Sequence, residues 1–81
     1  MKAIHKFVVR PRVLMPVNAK IISVQAQGDA ICIWAEVDTL ADKVERLFFS
    51  LGTGQPMPDV KCDYLATVQV GEYVWHVYEE R

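Results

Sequence analysis

The sequence predicts an all-β, mainly antiparallel fold: a small six-stranded sandwich or partly open barrel. Two observations carry that expectation. Gly28-Asp29 and Gly71-Glu72 are each flanked by runs rich in β-branched and aromatic residues. A glycine at the first central position is what a two-residue type II′ hairpin turn requires. Apolar and polar residues also alternate with period two along most of the chain, which is the mark of a half-buried strand.

Each element follows in order. Residues 2–9 read as a first strand, ended by Pro11 and Pro16. The stretch 10–18 is expected as an extended loop, and any sheet pairing there would lie at an edge, because proline cannot donate to a ladder. Residues 19–27 and 30–38 form a hairpin across Gly28-Asp29. The turn pairs Ala26 with Ile31, Val24 with Ile33 and Ile22 with Ala35 on an apolar face. The reverse face collects Gln25 with Cys32 and Ser23 with Trp34. Residues 39–46 are the one helical-looking stretch, with Thr39 as cap and Asp42–Arg46 as an i,i+4 pair. Residues 46–51 form a further strand with Leu47, Phe49 and Leu51 on one face, ended by Gly52-Thr53-Gly54 and a rigid loop at 55–59. Residues 64–70 and 73–79 make the second hairpin. It pairs Val70 with Tyr73, Val68 with Trp75 and Ala66 with Val77, and on the other face Thr67 with His76 and Leu65 with Tyr78. The open strands at the sheet margins favour closure or a homo-oligomer.

Size and composition narrow the function. The 81 residues make a single β domain, 1–81, and eight aromatic side chains argue for a folded chain. A net charge of -1 with interspersed signs disfavours nucleic acid as a partner. No apolar stretch is long enough to cross a bilayer as a helix, so no membrane role is expected. His5 and Lys6 stand where a signal peptide needs its apolar core, which places the protein in the cytoplasm with Cys32 and Cys62 as free thiols.

The chemistry-bearing residues form no catalytic set. His5, His76, Cys32 and Cys62 have the ligand types of a zinc site without its paired spacing, so neither a metal nor a cofactor is expected. Cys62 or Ser50 with His76 would be the only nucleophile and base, and nothing nearby marks either as activated. Gly52-Thr53-Gly54 could hold an anion on its amides and hydroxyl, yet it lacks the lysine and helix of a Walker loop and reads first as a strand end. The better lead is a polar-aromatic surface. Ser23, Gln25, Trp34, Thr67, His76 and Tyr78 combine aromatic bodies with hydrogen-bonding tips, and Arg10 and Arg12 add positive charge at the rim. Such a surface suits a protein hot spot or a flat ligand.

The chain resembles an uncharacterised family of small proteins of bacteriophages, prophages and bacteria. The features that carry the resemblance are Lys2-Ala3-Ile4-His5-Lys6-Phe7, the run from Met15-Pro16 through Ala19-Lys20-Ile21 to Val24, Trp34-Ala35 with Val37-Asp38, Gly52-Thr53-Gly54, and Val74-Trp75-His76-Val77-Tyr78-Glu79. The resemblance implies a stand-alone β domain and brings no catalytic residues. Two functions are expected from it and from the surface. One is a non-catalytic accessory or counter-defence factor that occupies a host protein. The other is a sponge for a nucleotide-derived signal, held by Thr53, an arginine and an aromatic ring at an oligomer interface. A small hydrolase ranks below both.

Overall fold

The two glycine bends set the architecture. In the computed structural model, which describes all of Met1–Arg81, Gly28 has φ 60° and Gly71 has φ 59°. Asn18 is the one non-glycine residue at positive φ, so Asp29 and Glu72 are not, and both hairpins turn through type II′ geometry.

Seven strands result: β1 (Lys2–Val8), β2 (Arg12–Pro16), β3 (Lys20–Gln27), β4 (Ala30–Asp38), β5 (Lys43–Gly52), β6 (Cys62–Val70) and β7 (Tyr73–Glu80). They form a three-stranded antiparallel sheet, β1-β4-β3, and a four-stranded one, β2-β5-β7-β6. The sheets face one another as an open sandwich and do not close into a barrel. No helix is long and apolar enough to cross a membrane.

The seventh strand is the segment expected as a loop. Val13 and Met15 alternate inward and are buried, and β2 pairs with β5 from Arg12↔Leu47 to Pro16↔Lys43. It lies at the sheet edge, where Pro16 turns the side that lacks a donor away from β5. The helical expectation for 39–46 is corrected as well. Asp38 accepts the Leu40 amide at 3.1 Å, and Thr39 Oγ1 donates to the Met1 carbonyl at 3.1 Å. These local bonds make a tight turn, and β5 then begins at Lys43. The Leu40 amide, helped by the chain's amino group, holds the Asp38 carboxyl below the usual carboxylate range. Arg46 does not pair with Asp42; it reaches Glu79, on β7.

The core lies between the inner faces. Val13, Met15, Val24, Ile33, Ala35, Val37, Phe48, Val68 and Val77 are buried against one another. Most expected partners hold: Ala26↔Ile31, Val24↔Ile33, Gln25↔Cys32, Ser23↔Trp34, Val70↔Tyr73, Val68↔Trp75, Ala66↔Val77 and Thr67↔His76. Two do not. A β-bulge between Ile21 and Ser23 places Ile21 opposite Ala35 and turns Ile22 outward, 44 % exposed. A second between Tyr64 and Ala66 places Tyr64 opposite Tyr78, while Leu65 packs against the core.

Candidate functional site

Strand alternation decides which candidates meet. On β4, Ile33 and Ala35 point into the core, so Trp34 points out from the three-stranded sheet. On β7, Val77 points into the core, so His76 and Tyr78 point out from the four-stranded sheet. The expected single surface is therefore two surfaces on opposite sides of the sandwich.

The first surface holds Ser23, Gln25 and Trp34. With Ile4 and Ile22 they line a shallow groove of about 290 Å³. Ile22 is there because of the bulge. Beside it, Lys6 Nζ donates to Gln27 Oε1 at 2.6 Å, a bridge across the row that contains Cys32. Cys32 is a buried free thiol and Cys62 a half-buried one.

The second surface is the more organised. Thr67 Oγ1 lies 3.0 Å from His76 Nδ1, and Thr53 Oγ1 lies 2.9 Å from His76 Nε2. The two threonine hydroxyls hold the ring from both sides, with donor and acceptor roles that follow the tautomer. Tyr64 Oη continues the chain, 2.7 Å from Thr67 Oγ1. The Tyr64 ring meets Tyr78 edge-on, with centroids 5.6 Å apart, and Tyr78 stacks on Phe49 at 5.3 Å with 9° between planes. Both aromatic contacts lie within the range where ring quadrupoles favour them. Tyr64 is 58 % exposed. The result is a cross-strand aromatic row, exposed at Tyr64 and half-buried at Tyr78 and Phe49, with a fixed imidazole beside it.

Neither candidate nucleophile joins His76. Ser50 pairs with Val77 and shares its inward direction, while Cys62 sits opposite Glu80 at the far end of β7. No group of three or more His, Cys, Asp or Glu side chains is gathered to hold a metal ion.

The remaining predicted residues are dispersed. Gly52-Thr53-Gly54 closes β5: the Gly52 amide donates to Gln55 Oε1, the Gln55 amide returns to the Gly52 carbonyl at 3.1 Å, and Gly54 takes φ 95°. Arg12 sits opposite Leu47, so Thr53 is on the order of 20 Å away along the strand. Arg10 lines a groove with Val9, Pro11, Phe48, Phe49 and Ser50. Tyr64 and Phe49 are site residues that the sequence reasoning missed. Phe49 carried a usable signal, since it alternates with Phe48 and only one of the two can face the core.

One ion pair supports this surface from within. Arg46 Nε and a terminal nitrogen bind the two oxygens of Glu79 at 2.6 and 2.7 Å, and its other terminal nitrogen donates to the Ala19 carbonyl at 2.7 Å. The Glu79 carboxylate raises the Arg46 pKa further, against the opposing effect of burial. This clamp ties β5 and β7 to the turn that enters β3, and so holds the two sheets together at one end.

Comparison with known proteins adds the family. No curated protein and no solved structure matches the chain. A family described as a domain of unknown function (DUF7352) matches residues 1–81, and the chain, with this two-sheet β fold, belongs to it.

Proposed function

We propose that this protein is a non-catalytic binding protein of phage or prophage type, an accessory or counter-defence factor that occupies a host protein surface. The contact face is the outer side of the four-stranded sheet. The observation that carries the reading is the Tyr64–Tyr78–Phe49 row with His76 fixed between Thr53 and Thr67. Aromatic side chains held in place before binding give up little conformational entropy on contact, and such residues dominate the energetics of protein interfaces. The resemblance to small phage proteins supports the biological setting, which is the cytoplasm of a bacterial host. Leu14, 62 % exposed on the same face, supports a homo-oligomer formed face to face.

The nucleotide-sponge alternative has less support. The Thr53 hydroxyl and the Gly52 amide are already engaged, and Arg12 is far along the strand.

The test is capture from bacterial lysate by the tagged protein and three variants. Tyr64→Ala and Tyr78→Ala are expected to lose the captured host protein while keeping the β-sheet circular dichroism. Trp34→Ala, on the other side of the sandwich, is expected to keep it. Loss with Trp34→Ala and retention with both tyrosine variants would move the contact to the three-stranded sheet.

A further inference from the structure

The open backbone along the second half of β5 points to a second binding site, one that takes an extended peptide as an added strand. It is defined by backbone groups and not by the aromatic face, which it adjoins at Phe49. β2 covers only the first half of β5: its ladder ends at Arg12↔Leu47, whereas β5 runs to Gly52. The hydrogen bonds toward β2 come from the even-numbered positions. The Val17 amide donates to Asp42, and the Phe48 amide donates to Pro11 at 3.1 Å. By the same alternation, the Ser50 amide and carbonyl point to that side too.

Nothing in the chain meets them there. Pro11 has no N–H to return to the Phe48 carbonyl. Val9, next in line, sends its amide to Ile31 in the other sheet at 2.8 Å. At the far end, Gln55 caps Gly52. The open stretch from Phe48 to Gly52 spans roughly 13 Å, enough for three or four residues of added strand.

The other margins are guarded against such addition. β2 carries proline, β3 and β6 carry bulges, and β1 presents Lys2 and Lys6. The open part of β5 has none of these devices. It also has a groove on each side, and Ser50 lines both. Inward lies a space of about 380 Å³ bounded by Val8, Val9, Ile31, Val70 and Trp75, with Asp29 at its rim. Outward lies the groove of about 320 Å³ that holds Arg10 and Phe49. Arg10 takes part in none of the chain's ion pairs.

We propose that this notch binds an extended peptide antiparallel to β5, with one apolar residue opposite Ser50 and acidic residues on either side of it. The central residue exchanges both backbone hydrogen bonds with Ser50 and, sharing its inward direction, fills the apolar groove. Its neighbours point outward, where a carboxylate pairs with Arg10. Asp29 at the rim of the inner groove selects against an acid at the centre.

The probe is the blocked peptide Thr-Glu-Val-Glu-Thr, titrated into isotope-labelled protein and read by nuclear magnetic resonance. Shifts are expected at the Ser50 amide, and its hydrogen exchange is expected to slow by about tenfold or more at saturation. Replacing the central valine with proline removes the donor for the Ser50 carbonyl and is expected to abolish the effect. Arg10→Glu, at an exposed position, is expected to weaken the acidic peptide by about tenfold and to admit Thr-Lys-Val-Lys-Thr. Silence at Ser50 up to about 1 mM peptide overturns the proposal. So does equal binding of the proline peptide, or indifference to Arg10→Glu. Ser50 shifts that follow protein concentration without peptide would assign the notch to a second copy of the chain, and overturn it also.

Discussion

Arg46 shows how far a single residue's role can lie from what its neighbours in sequence suggest. Read locally, it completes an i,i+4 pair with Asp42. In the fold it crosses to a carboxylate 33 residues away and to the Ala19 carbonyl 27 residues away. Both partners of the ion pair are about four-fifths buried, with side-chain exposures of 22 % and 19 %. The guanidinium is suited to this place because its planar fork serves both carboxylate oxygens and still leaves a donor for the carbonyl. Arg46→Ala leaves Glu79 without its charge partner and Ala19 without its donor, and is expected to cost about 2 kcal/mol. Arg46→Lys keeps the charge but cannot reproduce three directed bonds, and is expected to recover less than half of that. Urea unfolding followed by circular dichroism measures both. Full recovery by lysine would mean that charge alone, and not the fork, matters. At this scale the limits of sequence reading are physical. At Ile21-Ile22 and Tyr64-Leu65 two successive residues are both apolar, so periodicity has no way to choose which turns inward. The bulges settle what the pattern leaves degenerate, and they decide that Ile22 and Tyr64 face solvent.

The elements themselves were legible wherever turn chemistry and alternation agreed. Both hairpins formed with the expected turn type because glycine leaves little other choice at those bends. Where the signals conflicted, alternation won. Val13 and Met15 alternate correctly for a strand, but the flanking prolines favoured a loop; at a sheet edge the missing donors cost little, so the strand forms. Residues 39–46 carried helix formers, but Asp38 offered its carboxylate to the Leu40 amide, and a two-turn helix cannot outweigh ten residues of strand in β5. The Gly71 bend gives a direct measurement of what such a turn is worth. A Cβ there would meet nothing within 4 Å, so Gly71→Ala introduces backbone strain at φ 59° without a clash. It is expected to destabilise by about 1–2 kcal/mol, the cost of left-handed φ for an L-residue. Thermal unfolding of this variant beside Glu72→Ala, which leaves the positive φ to glycine, isolates that term. Equal melting temperatures would show that the turn does not need glycine.

The whole molecule stands on a thin core. Only 12 of 81 residues are buried, and the body measures 41 × 29 × 16 Å, so a few side chains carry much of the net stability. A domain of this size has about 5–10 kcal/mol in hand. Ile33 and Trp34 are neighbours in sequence and opposites in the fold: the first is fully buried between the sheets, the second lies on the outer groove. Size and hydrophobicity alone would rank tryptophan as the more important. The sandwich reverses that order, because only inward positions are packed from both sides. Ile33→Ala opens a cavity in the centre of the layer and is expected to cost about 3 kcal/mol, a large share of the total. Trp34→Ala removes a half-covered ring from one face and is expected to cost about 1 kcal/mol. Parallel urea titrations of the two variants give the comparison. If Trp34→Ala proves as damaging as Ile33→Ala, the three-stranded sheet must have a second covering layer, such as another copy of the chain, and the groove around Ser23, Gln25 and Trp34 would be an interface and not a free surface.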